Sequence, residues 1–423
     1  MVNGVIRGAS LAPQLAAVPA ALRPGAQALV YFALRRLGTA QAVRMQLVAR
    51  RPAPPVDALL VTSIALLVGE GERPYPDFTL VDQAVEAAKR SRTMRAQSAF
   101  VNACLRRLLR ERSALLAAVS TDPVAHWNHP LWWIERLQRD HPDHWQSILH
   151  ANQVPAPMDL RVHIGRASPA QYADLLARRG IAGQALAGSR VRLDRPRPVH
   201  ELPGFEDGWV SVQSSSAQRA APLLLDGLGT HAPRILDACA APGGKMAHLL
   251  ESCPTARVTA LDIDPARVPR IQQNLARLKL RAEEVRVADA ADVASWWRGE
   301  AYDAIMLDAP CSASGIVRRH PDVRWLRREA DLAQLAARQD RLLMALWPLL
   351  KPGGRLLYCT CSVFRAEGAQ PIQSFVARNT DAVSLAAPGQ LLPSIADAPP
   401  GVGDNGDRED DGFFYALLEK RPP

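Results

Sequence analysis

Five short apolar segments in the second half of the chain constrain its fold more than any other feature. They cover residues 234–237, 258–262, 285–288, 304–307 and 355–358, and helical stretches separate most of them. Strands that alternate with helices are typical of a mostly parallel sheet with helices on both faces. The sequence therefore predicts an α/β fold for a domain over residues 213–423.

One helix of this domain is predicted together with its starting point. Asp264 is a favoured N-cap residue, and Pro265 suits the first helical position. Apolar residues then recur on one face, at Val268, Ile271, Leu275 and Leu278. We therefore expect the helix to begin at Asp264 and to pack through that face.

The positive charge of the chain is concentrated in its first 120 residues. The whole chain has 51 Lys and Arg against 42 Asp and Glu, a net charge of +9, and residues 1–120 have 16 basic and 7 acidic side chains. Apolar residues at helical spacing predict an all-helical domain over residues 1–144 with a basic outer face. Such a face favours RNA binding. The alternative is a charged surface that only contacts solvent. The candidate RNA contacts are Lys89, Arg92, Arg106, Arg107 and Arg110.

Between these domains, residues 145–212 are predicted to form a small α+β connector, itself a candidate for RNA contact. Residues 159–164, 191–193 and 209–212 have strand character, and a helix is predicted from the Ser168 cap to Arg179. Residues 121–157 are rich in Trp and His, but neither cysteine nor carboxylate completes a zinc-ligand spacing there. We therefore expect a packed helical hinge and no metal site.

Neither a membrane span nor a signal peptide is expected. The longest apolar stretch, residues 58–68, is too short to span a bilayer, and it lies between Asp57 and Glu70. Pro13 and Pro19 interrupt any apolar region near the N-terminus. The six cysteines include no C-x-x-C pair, so we expect free thiols in the cytoplasm.

A glycine turn follows the first predicted strand, in the segment from Leu236 to Lys245. A strand, a tight turn and a helix start bring backbone N–H groups to the carboxyl edge of a sheet. Asp262 and Asp289 end the next two strands, where a carboxylate can accept ribose hydroxyls. The turn matches neither the dinucleotide nor the nucleoside-triphosphate motif, so a nucleoside with a short amino-acid arm fits better. The alternative is that these residues only form turns and helix caps.

Two thiols follow the last two predicted strands. Cys311 ends the segment from Asp308, and Cys361 lies between Thr360 and Ser362, so both are expected at the same edge of the sheet. C5 of cytosine is a poor nucleophile, and a thiolate that adds to C6 makes C5 reactive toward an electrophilic methyl group. Asp308 can hydrogen-bond N3 or the exocyclic amine of the base. Two buried structural cysteines are the alternative.

These motifs resemble those of RNA 5-methylcytosine methyltransferases. The similar segments are 236–245, 308–311, 318–322, 360–362 and 411–416, and together with the helical front end they resemble the bacterial 16S rRNA enzymes of the RsmB type. The resemblance is strongest over residues 205–420 and weaker over 25–115. It implies a Rossmann-like, S-adenosylmethionine-dependent methyltransferase domain after a NusB-like domain. It also implies a specific cytosine in 16S rRNA as the target, and action as a monomer.

The same resemblance implies roles for individual residues. Contacts with the methyl donor would come from Cys239, Ala240, Ala241, Pro242, Gly243, Gly244, Lys245, Asp262, Asp289 and Asp308. Cys361 would be the nucleophile, and Cys311 would help to resolve the covalent adduct. Because DNA cytosine methyltransferases use the thiol of a Pro-Cys pair, Cys311 stays the alternative nucleophile.

Two dipeptides depart from the family pattern. The family usually has Asp after Val-Gln, where this chain has Ser214, and Asn after Glu, where it has Gly368. Two other functions stay open beside methylation of 16S rRNA. One is the same chemistry on tRNA or 23S rRNA, and the other is a catalytically inert, RNA-binding ribosome assembly factor.

Overall fold

The computed structural model describes residues 1–69, 75–394 and 410–422 and divides into two compact units. The first consists of Met1–Pro155 and Val317–Glu329, and the second of Ala156–Ile316 and Ala330–Pro423. None of the described helices is long and apolar enough to cross a membrane. Glu70, which flanks the longest apolar stretch, lies outside the described residues.

The first unit is helical, as predicted. Its helices before residue 155 are α1 (Val2–Ile6), α2 (Leu11–Ala16), α3 (Arg23–Arg35), α4 (Leu37–Leu47), α5 (Pro54–Leu67), α6 (Asp77–Arg90), α7 (Ser98–Val119), α8 (Pro123–Trp127), α9 (Leu131–Asp140) and α10 (Trp145–Ala151). Most of the apolar stretch 58–68 lies in α5 and is buried in the core of the unit. Helix α7 buries Leu105 and Leu108 and exposes the arginines between them, which confirms the predicted faces.

The Trp- and His-rich segment forms α8, α9 and α10. The ring of His129 is buried and contacts the carbonyl oxygen of Trp127 at 2.6 Å and the side chain of Asn152 at 3.2 Å. Within residues 1–69, 75–394 and 410–422, no group of His, Cys, Asp and Glu is arranged to hold a metal ion.

A distant segment of the chain, Val317–Glu329, completes the first unit. It contains α16 (Val323–Leu326), where the buried guanidinium of Arg324 donates to the carbonyl oxygens of Asn128 at 3.2 Å and Asn152 at 2.6 Å. The carboxylate of Asp322 accepts from the backbone N–H of Leu11 at 3.1 Å. The segment 318–322 therefore contributes to the packing of this unit.

The second unit begins with a four-stranded antiparallel sheet in the order β2-β3-β1-β4. The strands are β1 (Met158–Val162), β2 (Gly183–Ala185), β3 (Arg190–Leu193) and β4 (Val210–Val212), and α11 (Pro169–Arg178) packs beside them. Helix α11 begins with a capping box of Ser168 and Gln171, as the Ser168 cap predicted. The α+β prediction is confirmed, although the sequence did not identify β2.

A seven-stranded sheet forms the rest of this unit, in the order β10-β11-β9-β8-β5-β6-β7. The strands are β5 (Arg234–Asp237), β6 (Arg257–Asp262), β7 (Glu284–Val287), β8 (Tyr302–Asp308), β9 (Leu350–Thr360), β10 (Ala382–Leu391) and β11 (Phe413–Lys420). Strands β5 to β9 are parallel, as predicted, whereas β10 and β11 are antiparallel and were not predicted as strands.

Helices cover both faces of this sheet, which confirms the α/β prediction. They are α12 (Ser215–Gln218), α13 (Ala220–Leu225), α14 (Gly244–Ser252), α15 (Val268–Leu278), α17 (Glu329–Leu346) and α18 (Ala369–Arg378). Helices α13, α14 and α15 belong to one core cluster with the strands, and α17 and α18 to another.

The predicted start of α15 at Asp264 is wrong, because the helix begins at Val268. The side chain of Asp264 accepts from the N–H of Ala266 at 2.9 Å, and its carbonyl oxygen accepts from Arg267 at 3.0 Å. These bonds form a separate turn that contains Pro265, because an Asp side chain can stabilise a turn as well as a helix end. The predicted apolar face is correct, since all four of its residues are buried.

Candidate active site

Four strands end at one edge of the large sheet, and two of them end at the predicted site residues Asp262 and Asp308. Asp237, Asp262 and Asp308 are the last residues of β5, β6 and β8, and Thr360 is the last of β9. In the parallel register, Asp237 lies opposite Met306, and Asp308 lies opposite Cys359. The loops that follow these strands therefore leave the sheet on the same side.

The loop 238–243 makes a tight turn into α14. Gly243 is the N-cap of the helix with φ of 97°, and a Cβ atom there would lie 3.3 Å from the backbone of Ile271. Glycine satisfies both the left-handed backbone and this close approach. The peptide bond between Ala241 and Pro242 is cis. The carboxylate of Asp262 accepts from the N–H of Ala241 at 3.0 Å, which connects this loop to the end of β6.

Asp237 is almost completely buried beneath this loop. Among the described residues, neither oxygen of its carboxylate has a hydrogen bond of good geometry, and the backbone of Cys239 contributes only weakly. Burial, reinforced by the nearby charge of Asp308, raises the pKa of Asp237 to about 8. Burial therefore favours the protonated form in the empty site, whereas a bound cation would favour the carboxylate.

Asp289 follows β7 and is held by two donors. Its carboxylate accepts from the N–H of Ala291 at 3.0 Å and from the guanidinium of Arg341 at 2.8 Å. Burial alone would raise the pKa of Asp289, but the bonds from Ala291 and Arg341 outweigh it and the pKa is lowered. Asp289 therefore stays ionised at the edge of the sheet.

Lys245 and Asp308 form an ion pair across the first turn of α14. The Nζ atom of Lys245 lies 2.6 Å from a carboxylate oxygen of Asp308 and 5.5 Å from the ring centroid of Phe413. Burial opposes the charge on Lys245, but the attraction of Asp308 outweighs it and raises the pKa of the lysine well above its usual range. Lys245 therefore stays charged and orients the carboxylate of Asp308.

The two predicted thiols meet at this edge. The Sγ atoms of Cys311 and Cys361 lie 3.4 Å apart, and both side chains are partly exposed. The hydrogen bond with Cys361, burial and the charge of Glu367 raise the pKa of Cys311 well above its usual range. Cys311 therefore keeps its proton and can donate it to the sulfur of Cys361.

Cys359 is a third thiol nearby, but it is fully buried in β9. Its Sγ atom lies 3.5 Å from a carboxylate oxygen of Asp308, and burial raises the pKa of Cys359 well above its usual range. The structure describes all six cysteines, and none of them forms a disulfide.

Sequence reasoning did not single out Arg161 of β1. Its guanidinium is fully buried, and it donates to both carboxylate oxygens of Glu251 at 2.9 Å, to the carbonyl oxygen of Gly244 at 2.8 Å and to the side chain of Gln213. The small sheet thus contacts the start of α14 directly. A buried arginine in a strand has no periodic signal, so only the tertiary contacts identify it.

The two departures from the family pattern have local explanations. Ser214 is the N-cap of α12, where its side chain accepts from Ala217 at 3.4 Å, and Ser and Asp are both favoured N-cap residues. At Gly368, a Cβ atom would lie 2.9 Å from the ring of Phe414. A side chain at 368 would therefore displace this aromatic ring.

The five candidate RNA contacts lie in the first unit. Lys89 is in α6, Arg92 follows that helix, and Arg106, Arg107 and Arg110 are in α7, all of them exposed. Lys89 pairs with Glu86 at 2.8 Å, and Arg107 pairs with Glu111 at 2.9 Å. These pairs are on the surface, where solvent screens the attraction, so the cationic side chains stay accessible to an anionic partner.

Comparisons with known proteins cover the whole chain. Residues 229–419 match the family described as 16S rRNA methyltransferase RsmB/F, residues 129–200 match the RsmF/B-like ferredoxin-like domain, and residues 2–110 match the NusB family. The chain is 38% identical to ribosomal RNA small subunit methyltransferase B of Vibrio cholerae, over 98% of this chain and 94% of the relative. It is 42% identical to the protein of that name from Cronobacter sakazakii, over 82% of this chain and 78% of the relative.

Solved structures share the fold. PH0851 aligns with 96% of this chain and 91% of its own, with a TM-score of 0.76 at 24% identity. NSun6 from Pyrococcus horikoshii, solved with SFG, aligns with 70% of this chain and 99% of its own, with a TM-score of 0.57 at 17% identity.

Proposed function

The chain belongs to the RsmB/F family of 16S rRNA methyltransferases, and from this premise we propose that it methylates C5 of a specific cytosine in 16S rRNA through a transient bond between Cys361 and C6. That it is an RNA methyltransferase follows from the family. The proposal for the base and the mechanism rests on one observation, the thiol pair of Cys311 and Cys361 at 3.4 Å. Transfer to an amino group would need no thiol.

In the proposed reaction, the sulfur of Cys361 adds to C6 as a thiolate, and the electrons of the C5–C6 double bond make C5 nucleophilic. Asp308, oriented by Lys245, accepts a hydrogen bond from the exocyclic amine, or from N3 once N3 has taken a proton from solvent, and it favours that proton during the addition. C5 would then take the methyl group from the sulfonium centre of a bound donor, and the bond between that methyl group and sulfur would break as the bond to C5 forms. Loss of the C5 proton to Cys311 and of the N3 proton to solvent returns the electron pairs to the ring and breaks the bond between C6 and the sulfur of Cys361, which becomes a thiolate again.

Cys311 is the proposed base at C5. Two of the influences that raise its pKa, a hydrogen bond and a charge, come from Cys361. Both disappear once the sulfur of Cys361 is bonded to C6, so Cys311 then loses its own proton to solvent more readily, and the resulting thiolate can take the proton from C5. Cys311 is therefore proposed to act only after the adduct has formed, in the step that resolves it.

The proposed cofactor is S-adenosylmethionine, which supplies an electrophilic methyl group when it is bound. The buried carboxylate of Asp237 suits its amino group, and the tight turn at Gly243 presents the backbone N–H groups of Gly244 and Lys245 at the start of α14. Asp262, Asp289 and Asp308 at the neighbouring strand ends complete the candidate contacts. SFG, the ligand of the related NSun6 structure, is an analogue of this donor.

We propose that the exposed basic side chains of α6 and α7 bind the RNA, and that the chain acts as a monomer, as the family resemblance implies. The base must leave any helical stack, because the thiol approaches C6 from above the ring.

Transfer of a tritiated methyl group tests the proposal with unmodified 16S rRNA, 23S rRNA and tRNA as acceptors. We expect label in 16S rRNA alone, as 5-methylcytosine after digestion. Label in 23S rRNA or tRNA instead would identify that RNA as the substrate. No label in any RNA would favour the alternative of a catalytically inert assembly factor.

A further inference from the structure

A buried carboxylate joins the two loops that hold the thiol pair. Glu367 lies between β9 and α18, and its side chain is completely buried. One carboxylate oxygen accepts from the backbone N–H of Ser312 at 2.7 Å. The other accepts from the hydroxyl of Ser312 and from the hydroxyl of Ser362 at 2.6 Å. Ser312 follows Cys311 and Ser362 follows Cys361, so one side chain binds the residue next to each thiol.

We propose that Glu367 is a positioning residue that fixes the separation of the Cys311 and Cys361 sulfur atoms by holding the loop of each thiol through the adjacent serine. The proposal rests on the proposed function only in the claim that these thiols act on RNA. A hydrogen bond in the protein interior is stronger than one exposed to competing water. Three such bonds on one carboxylate restrict both loops at once.

Other hydrogen bonds also connect the same two loops, in addition to those of the Glu367 carboxylate. Ser314 and Ser362 share a hydrogen bond of 2.9 Å between their hydroxyls, and Ser314 accepts from the N–H of Val363 at 2.9 Å. The N–H of Gly315 donates to the carbonyl oxygen of Cys361 at 2.9 Å. Ala313, between the serines of the first loop, has a φ of 60°, a conformation that costs a non-glycine residue energy and that these bonds must maintain.

The position of Glu367 is itself fixed through its backbone. Its carbonyl oxygen accepts from the hydroxyl of Tyr358 at 2.9 Å and from that of Thr360 at 3.1 Å, both buried residues of β9. These bonds hold the backbone of Glu367 against β9, and its carboxylate reaches the two loops. Because Glu367 is inaccessible to RNA, its effect on the reaction must pass through the cysteines.

The spacing of two thiols is measurable without RNA or methyl donor. Phenylarsine oxide forms two arsenic–sulfur bonds with a close pair of thiols and releases one water molecule. We expect wild-type protein to bind one equivalent at the pair, seen as a mass increase in the intact protein, and Cys311→Ser to lose that binding. In Glu367→Ala, we expect the affinity for the arsenical to fall by about tenfold, because each loop moves independently.

The same variants are then tested in methyl transfer. In Glu367→Ala, kcat should fall by about tenfold or more with the KM for RNA unchanged, because a misplaced reacting group costs rate and the RNA-binding surface is intact. Glu367→Gln keeps the shape of the side chain and its bond from the N–H of Ser312, so it should recover part of both losses. Tyr172→Phe is the matched control: it removes one hydroxyl hydrogen bond of a buried tyrosine outside both thiol loops, to the carbonyl oxygen of Pro203, and it should leave the affinity for the arsenical within about twofold of wild type.

Two results would overturn the positioning role. One is a folded Glu367→Ala variant with the arsenical affinity and kcat of wild type. If that variant does not fold, the second result is a Glu367→Gln variant in which the affinity for the arsenical and kcat both equal those of wild type. If wild type transfers no methyl group to any RNA while the arsenical results hold, the proposed function fails and the role of Glu367 in spacing the thiols stands.

Discussion

The Sγ atoms of Cys311 and Cys361 lie 3.4 Å apart, although 50 positions separate the two residues in the sequence. Each follows a strand of the parallel pair β8 and β9, and these strands bring the two loops to one edge. The hydrogen bond with Cys361, together with burial, raises the pKa of Cys311. The proposed reaction uses Cys361 for the addition to C6 and Cys311 for the later proton transfer.

Removal of each thiol should therefore have a different effect. Cys361→Ala should abolish methyl transfer and form no covalent complex with RNA. Cys311→Ala should still form the bond to C6 but release the product slowly, so a complex should accumulate that survives denaturing electrophoresis. Cys104→Ala, which changes a buried cysteine of the first unit, is the control. A trapped complex with Cys361→Ala instead would reverse the assignment.

The buried carboxylate of Asp237 should make stability depend on pH. Its pKa in the folded chain is about 8, above the ordinary value of 3.8, so the folded state binds the proton more tightly than the unfolded state. The contribution of Asp237 to the free energy of unfolding is therefore fully present below about pH 4, and it is lost as the pH rises toward 8.

The variant Asp237→Asn carries a neutral side chain at every pH. The difference between its free energy of unfolding and that of wild type should therefore increase by roughly 2–3 kcal/mol from pH 5 to pH 7, because only wild type loses this contribution. Urea denaturation without ligand measures the difference. A difference that is constant over this range would show that Asp237 is ionised in the folded state. Asp303→Asn, at a partly exposed carboxylate paired with Lys351, is the matched control.

Loss of Arg161 should weaken both the fold and the proposed donor site. Arg161→Met leaves the carboxylate of Glu251 buried without its partner, which costs about 3–5 kcal/mol in the free energy of unfolding. It also removes the donor to the carbonyl oxygen of Gly244 at the start of α14.

Equilibrium dialysis with S-adenosylmethionine measures the second effect. Arg161→Met combined with Glu251→Met removes both buried charges and should recover much of the stability. It should not recover the affinity for S-adenosylmethionine, because the bond to Gly244 is still missing. Donor affinity equal to wild type in this double variant would exclude Arg161 from organising the loop.

The basic face of α7 should contribute a salt-dependent part of RNA binding. Replacement of Arg106, Arg107 and Arg110 by Gln should lower the affinity for 16S rRNA fragments and reduce the slope of log K against log salt by about 0.7 for each lost phosphate contact with single-stranded RNA. Arg257→Gln, in the second unit, removes an exposed arginine paired with Glu283 and is the control. A slope that does not change in the triple variant would exclude this face.

Much of the fold and of the site follows from local patterns in the sequence. The alternation of apolar strands with helices predicts the parallel sheet, because each segment has its own periodicity and bounds. Since parallel strands end at one edge, the residues that follow them, such as Asp262, Asp308 and Cys361, are predicted to lie together before any contact is known. The helical first unit and the exposed arginines of α7 follow from helical spacing in the same way.

Other features depend on contacts between distant residues, and no local pattern reports them. Glu367 is one carboxylate among many in the sequence, and only the positions of Ser312 and Ser362 in space give it a role. The segment 318–322 adjoins Cys311 in sequence, yet Asp322 and Arg324 are buried in the first unit. The sequence alone thus determined which groups reach the edge of the sheet, because periodicity is local. Only the tertiary structure decided which of them touch, because a buried hydrogen bond requires two groups that the chain itself does not bring together.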